Sequence, residues 1–253
     1  MVNNWQFMKK FFLFFFIFFM FQNFSFSDEW KTKNKWKISC GLVNKEALVI
    51  NGKPKKSYSK REFKVESAIF KLDKGDIGKC KSDKKPTGGY KYSGRQEITH
   101  KLLPGKNLFQ ATILTSGAPQ YRSHFFQIHD GRPKGKPPSM VSVNKDWMVK
   151  NQHSIDCFKP KCKQLSYGAY LKPGESKNFK AEVNYNKKEK KISAKYYIND
   201  ELIIQHLDVP IIEKKTDGPY GPNKPYIKIG IYRIGDTGTT TFSYTNILLK
   251  NKK

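Results

Sequence analysis

His124-Phe125-Phe126-Gln127-Ile128-His129-Asp130 reads as a β-strand, since side chains alternate from face to face with a period of two. On that reading Phe126 and Ile128 point into a core. Phe125, Gln127 and His129 line the opposite face, where an amide and a titratable imidazole stand side by side. A second stretch, Tyr226-Ile227-Lys228-Ile229-Gly230-Ile231-Tyr232-Arg233, has the same character. Ile227, Ile229 and Ile231 form its apolar face, and Tyr226, Lys228, Gly230 and Tyr232 form the other. Two strands with one oily face and one face of Gln, His, Lys and Tyr predict a polar, aromatic groove on a sheet.

The same alternation runs through the rest of the chain. Phe63, Val65, Ser67, Ile69 and Lys71 alternate with Lys64, Glu66, Ala68 and Phe70, and Phe179, Ala181, Val183 and Tyr185 with polar neighbours. Ile192, Ala194, Tyr196 and Ile198 end at Asn199-Asp200, a turn signal, and Phe242, Tyr244, Asn246 and Leu248 close the chain. Asn51-Gly52, Lys74-Gly75-Asp76, Pro104-Gly105, Asp130-Gly131 and Pro173-Gly174 punctuate it. Outside the N-terminus there is no long segment of period 3.6. Many short strands with Gly/Pro turns predict an all-β sandwich of two antiparallel sheets. Loops at Gly131 to Pro138 and Lys214 to Lys224 adjoin the two candidate functional strands and could wall the groove.

The N-terminus reads as an export signal over residues 1–27. Lys9 and Lys10 precede the apolar run Phe11 to Phe21, and Ser25 and Ser27 put small residues before Asp28. The run is short for a bilayer span, so no stable membrane insertion is expected after cleavage. Residues 28–253 then form one domain, secreted or periplasmic. The formal net charge is +27, about +25 without the signal. Such a charge draws in polyanions. Export favours an anionic polysaccharide over nucleic acid, for which no fold signature is present.

Four cysteines, Cys40, Cys80, Cys157 and Cys162, suit disulfides in an exported chain. Cys157 and Cys162 bracket a short loop, which leaves Cys40 for Cys80. The spacing is not that of a zinc site. No metal ligand set or cofactor is expected, with a structural Ca²⁺ left open, and the protein is expected to be a monomer.

A third strand, Gly94-Arg95-Gln96-Glu97-Ile98-Thr99, puts Arg95, Glu97 and Thr99 on one face. Arg-x-Glu, then Gln-Ile-His, then Tyr-x-Lys-x-Gly-x-Tyr, in that order, resembles the jelly-roll polysaccharide lyases, a group that includes alginate, glucuronan and heparin-lyase-like enzymes. The resemblance covers roughly residues 63 to 250. It implies a β-jelly roll with a concave groove, and β-elimination on a uronate-containing polysaccharide. By it Gln127 and Arg95 would neutralise the uronate carboxylate, and His129 and Tyr232 would be the base and acid. Lys228, Glu97, Tyr226 and Arg233 would contact the substrate. Thr99 stands where many alginate lyases carry a second Arg, and Arg233 where they carry an amide-type residue.

The chemistry asks for these groups independently. The C5 proton of a uronic acid is barely acidic until the neighbouring carboxylate is neutralised, which amide and guanidinium donors achieve. A neutral His or a Tyr phenolate can take the proton, and a Tyr hydroxyl can protonate the leaving oxygen. Lys228, on the face of Tyr232, would favour the phenolate. Which of His129 and Tyr232 is the base depends on the side of the ring on which the proton lies. A hydrolase would need two facing carboxylates, and no acidic pair sits on a convincing strand. A non-catalytic module that binds an anionic polysaccharide is the stronger alternative.

Overall fold

The structure, a computed structural model, describes residues 29–39, 48–55, 62–78, 93–117, 122–130, 137–153, 162–164, 168–211, 224–234 and 238–252. Backbone contacts divide the chain into Met1–Trp30 and Lys31–Lys253. The second unit carries everything below. The export signal, most of both loops beside the groove, Cys40, Cys80 and Cys157 lie outside the described residues, as does the side chain of Cys162.

The described residues hold no α-helix and seventeen strands. In chain order these are β1 (Lys31–Thr32), β2 (Lys35–Ile38), β3 (Leu48–Ile50), β4 (Lys53–Lys55), β5 (Phe63–Lys64), β6 (Ala68–Leu72), β7 (Ser93–Lys101), β8 (Gly105–Gly117) and β9 (Arg122–His129). There follow β10 (Ser139–Asn144), β11 (Val149–His153), β12 (Cys162–Gln164), β13 (Ser176–Asn186), β14 (Lys191–Ile198), β15 (Glu201–Pro210), β16 (Tyr226–Ile234) and β17 (Thr240–Lys252). One sheet runs β12-β15-β14-β13-β8-β17-β6-β3-β4, with β1 also on β17. The other runs β11-β10-β9-β16-β7-β2-β5. Every pairing is antiparallel, as in the expected two-sheet jelly-roll sandwich.

The period-two pattern explains the packing. Phe179, Ala181, Val183 and Tyr185 on β13, and Ile192, Ala194, Tyr196 and Ile198 on β14, are all buried. They meet Phe126, Ile128, Ile227, Ile229 and Ile231 from the other sheet in one core. Phe126 sits 5.3 Å from the rings of both Phe109 and Phe179 and 5.7 Å from Tyr196. Truncating so enclosed a ring to Ala costs about 3–5 kcal/mol. Asn51-Gly52 and Asn199-Asp200 form two-residue turns with positive φ at both positions, the twist that hairpins need.

Three strand readings change in detail. Phe63 to Lys71 is not one strand. Its chain crosses between sheets at Glu66-Ser67, so β5 pairs with β2 and β6 with β17 and β3. The Asn51 side chain accepts from the amides of Glu66 and Ser67 and donates to the Lys64 carbonyl, fixing the crossing. Near the C-terminus the register shifts between Thr245 and Leu248, and Asn246 takes φ 54°. This exposes Asn246 and turns Ile247 and Leu249 inward. Phe125, expected on the polar face, is instead 1% exposed in the core against Phe179 and Phe242. The cause is a pair of bulges, described next.

Candidate functional site

The site lies on the face of the seven-stranded sheet turned away from the core, across β7, β16 and β9. Register sets its residues in rows. Arg95, Tyr232 and His124 form one row. Glu97 and Gly230 form the next, Thr99, Lys228 and Gln127 the third, and Lys101, Tyr226 and His129 the fourth. The β16–β9 pairing skips a residue between Ile229 and Tyr232, and the β9–β10 pairing skips Phe125. Phe125 thereby drops into the core while His124 and Gln127 both stay on the outward face.

Two features hold this distortion. Gly230 takes φ 137°, and a Cβ there would collide with the Gln96 carbonyl oxygen, so only glycine fits. From the opposite sheet, the Tyr244 hydroxyl reaches the carbonyls of Phe125 (2.8 Å) and Gly230 (3.2 Å), the two extra residues of the bulges. Burial raises the Tyr244 pKa well above its usual value, which keeps it a donor.

Glu97 is the hub of the site. It is 1% exposed and accepts from Lys228 Nζ at 3.0 Å and from Gln127 Nε2. Arg95 Nη1 stands 3.7 Å from the same carboxylate. With Nε2 of Gln127 on Glu97, Gln127 Oε1 faces His129 Nε2 at 3.0 Å. An amide oxygen only accepts, so Nε2 of His129 is the donor of this contact. His129 lies parallel to Tyr226 at 5.0 Å. The Arg95 guanidinium covers the Tyr232 ring at 4.0 Å, and His124 stacks on that ring at 5.4 Å.

Arg95, Gln127, His129, Lys228, Tyr226 and Tyr232 therefore share one face, and the contacts His129–Gln127–Glu97–Arg95–Tyr232 run unbroken across it. His129 and Tyr232 do not share a row. The two rows lie five positions apart along β9, with four residues and the bulge at Phe125 between them. Between them lie the Lys228–Gln127 row and the Glu97–Gly230 row, and Gly230 leaves the β16 position next to Tyr232's row without a side chain. Glu97, expected against the substrate, is enclosed by its cationic partners. Lys228 gives its ammonium to Glu97, and the cation on Tyr232 is that of Arg95. Arg233 falls on the core side: it is 0% exposed and donates to the carbonyls of Leu72, Asp73 and Gly238. An odd-numbered residue of β16 shares the parity of Ile227, Ile229 and Ile231, which would have placed it inward.

The motifs did not include His124 and Tyr244. Two adjacent phenylalanines within one strand were the available signal, since both can be buried only around a bulge. Among the described residues no group of three or more His, Cys, Asp or Glu is placed to hold a metal, and no helix is long and apolar enough to cross a membrane.

No protein-family model matches this chain, and no curated protein is similar to it in sequence. Solved structures are similar in fold. A family 7 alginate lyase, A1-II′, in complex with product, superposes with a TM-score of 0.55 at 13% identity over 87% of this chain and 96% of that one. Alginate lyase AlgAT5 of polysaccharide lyase family 7 gives 0.53 at 12% identity, covering 85% and 94%. The marine family 7 alginate lyase AlyA1 of Zobellia galactanivorans gives 0.51 at 14%, covering 87% and 96%. The chain has the jelly-roll fold of the family 7 polysaccharide lyases along most of its length.

Proposed function

We propose that the protein is an exported polysaccharide lyase that cleaves a uronate-containing anionic polysaccharide by β-elimination. The observation that carries this reading is the continuous set Arg95, Tyr232, Gln127 and His129 around the side-chain-free position Gly230, on a fold shared with alginate lyases. A pyranose seated over Gly230 would have Tyr232 and Arg95 at one edge and Gln127, Lys228 and His129 at the other.

Each group has a role that its environment supports. Gln127 uses one N–H on Glu97, and its second N–H can meet the uronate carboxylate. Arg95 supplies positive charge from the Tyr232 edge of the ring. Those donors stabilise the enolate-like transition state. His129 or the Tyr232 oxygen removes the C5 proton, and the Tyr232 hydroxyl protonates the glycosidic oxygen as the C4–O bond breaks. Glu97 holds Lys228, Arg95 and Gln127 in place.

The test is a panel of polyuronates (alginate, glucuronan and a heparin-like glycan), followed by ultraviolet absorbance of the C4–C5 double bond. Absorbance should rise on at least one. Binding without any rise would replace this reading with a non-catalytic glycan-binding module.

A further inference from the structure

His124 is the imidazole of the outward face that the reaction above leaves unused. It is 0% exposed, and among the described residues neither ring nitrogen has a hydrogen-bond partner. Its contribution is therefore the face of its ring, which lies 21° from the plane of Tyr232. Tyr232 stands on β16 between its two cross-strand partners, Arg95 on β7 and His124 on β9. The guanidinium packs against the same phenol ring.

We propose that His124 is a positioning residue for Tyr232: its imidazole face and the Arg95 guanidinium, from the two flanking strands, set the orientation from which the phenol hydroxyl reaches the substrate. The two bulges are what place His124 opposite Tyr232, since the β16–β9 register shift falls immediately before that pair. Burial, reinforced by Arg122 and Arg95, lowers the His124 pKa to about 3. A neutral ring can share Tyr232 with Arg95, whereas an imidazolium would set two cations against one another.

The proposal rests on the role given to Tyr232, and its test separates the two. His124→Phe keeps a flat ring without nitrogens, and His124→Leu fills the volume without a flat face. His124→Leu should lower kcat roughly tenfold to a hundredfold, the scale of a misoriented reacting group, with KM within about twofold. His124→Phe should restore most of kcat. Fluorine NMR of 3-fluorotyrosine-labelled protein, with the Tyr232 resonance assigned by Tyr232→Phe, reads the orientation directly. That resonance should stay sharp in His124→Phe and broaden or move in His124→Leu.

An unchanged resonance or an unchanged kcat in His124→Leu overturns the proposal, as does a His124→Phe variant as impaired as His124→Leu. If the wild type eliminates no polyuronate, the proposed function fails, and the fluorine spectrum still decides the positioning.

Discussion

Replacing Glu97 by Gln removes one negative charge from the centre of the site and keeps the shape. The carboxylate is 1% exposed and its Lys228 partner 5%, with Nζ and Oε2 3.0 Å apart. A solvent-exposed pair of this kind would contribute about 0–1 kcal/mol. Burial changes the scale: leaving one member of an enclosed pair without its counter-ion costs about 3–5 kcal/mol. The amide of Glu97→Gln still offers an oxygen to Lys228, which argues for the lower end, about 3 kcal/mol. For a domain of this size each kcal/mol moves Tm by about 2–4 °C, so Tm should fall by roughly 6–12 °C. Lys228→Met alone should also destabilise. The double variant should recover part of the loss, because the Lys228–Glu97 pair is then removed as a unit. Thermal unfolding of the four proteins at one pH and salt concentration measures the cycle. A Glu97→Gln variant within about 2 °C of wild type, or strictly additive losses, would refute the desolvated hub.

Tyr244→Phe strips the hydroxyl from the two bulge carbonyls and should cost about 1–3 kcal/mol of stability in urea unfolding. Turnover should fall with it, because the bulges set the Tyr232 row; equal stability would show that the carbonyls find another donor. Gly230→Ala should lose activity and stability together, since its Cβ meets the Gln96 carbonyl and the Glu97 Cα; a stable, active variant would contradict that contact. Acid should weaken the fold through histidine. Burial lowers the pKa of His100 to about 4 and that of His124 to about 3, both below the 6.5 of an unperturbed imidazole. Their stabilisation is complete above pH 6.5 and is lost as pH falls toward those values, at up to ~1.4 kcal/mol per pH unit for each group. The urea midpoint should be lower at pH 4.5 than at pH 7.5, and equal midpoints would contradict the burial of neutral rings.

Much of the architecture was legible from alternation alone. Ile227, Ile229 and Ile231 are buried as their parity demands, and Gln127, His129, Lys228 and Tyr232 face the other way. What escaped lies where one residue breaks the period. Strict alternation puts Phe125 on the wrong face because a bulge cannot be placed from one strand; it depends on the partner strands and on a tyrosine from the opposite sheet. The break at Glu66-Ser67 depends likewise on Asn51, held more than ten residues away by its own turn. Arg233 belongs to the groove by the resemblance alone, whereas its parity points inward to a cage of backbone carbonyls. Glu97 shows the limit of reading motifs as contacts: the motif located it on the right face, while burial and three donors give it a supporting task.

β-Elimination through Tyr232 is tested most directly by the stoichiometry of cleavage by the wild type and by Tyr232→Phe on whichever polyuronate is cut. Elimination creates one C4–C5 double bond for every new reducing end, whereas hydrolysis creates reducing ends alone. The wild type should give a one-to-one ratio. In a folded Tyr232→Phe that still binds the polymer, both signals should fall together by at least about a hundredfold, the loss typical of a positioned acid or base. Reducing ends without double bonds, or near-normal elimination by Tyr232→Phe, would contradict elimination through Tyr232.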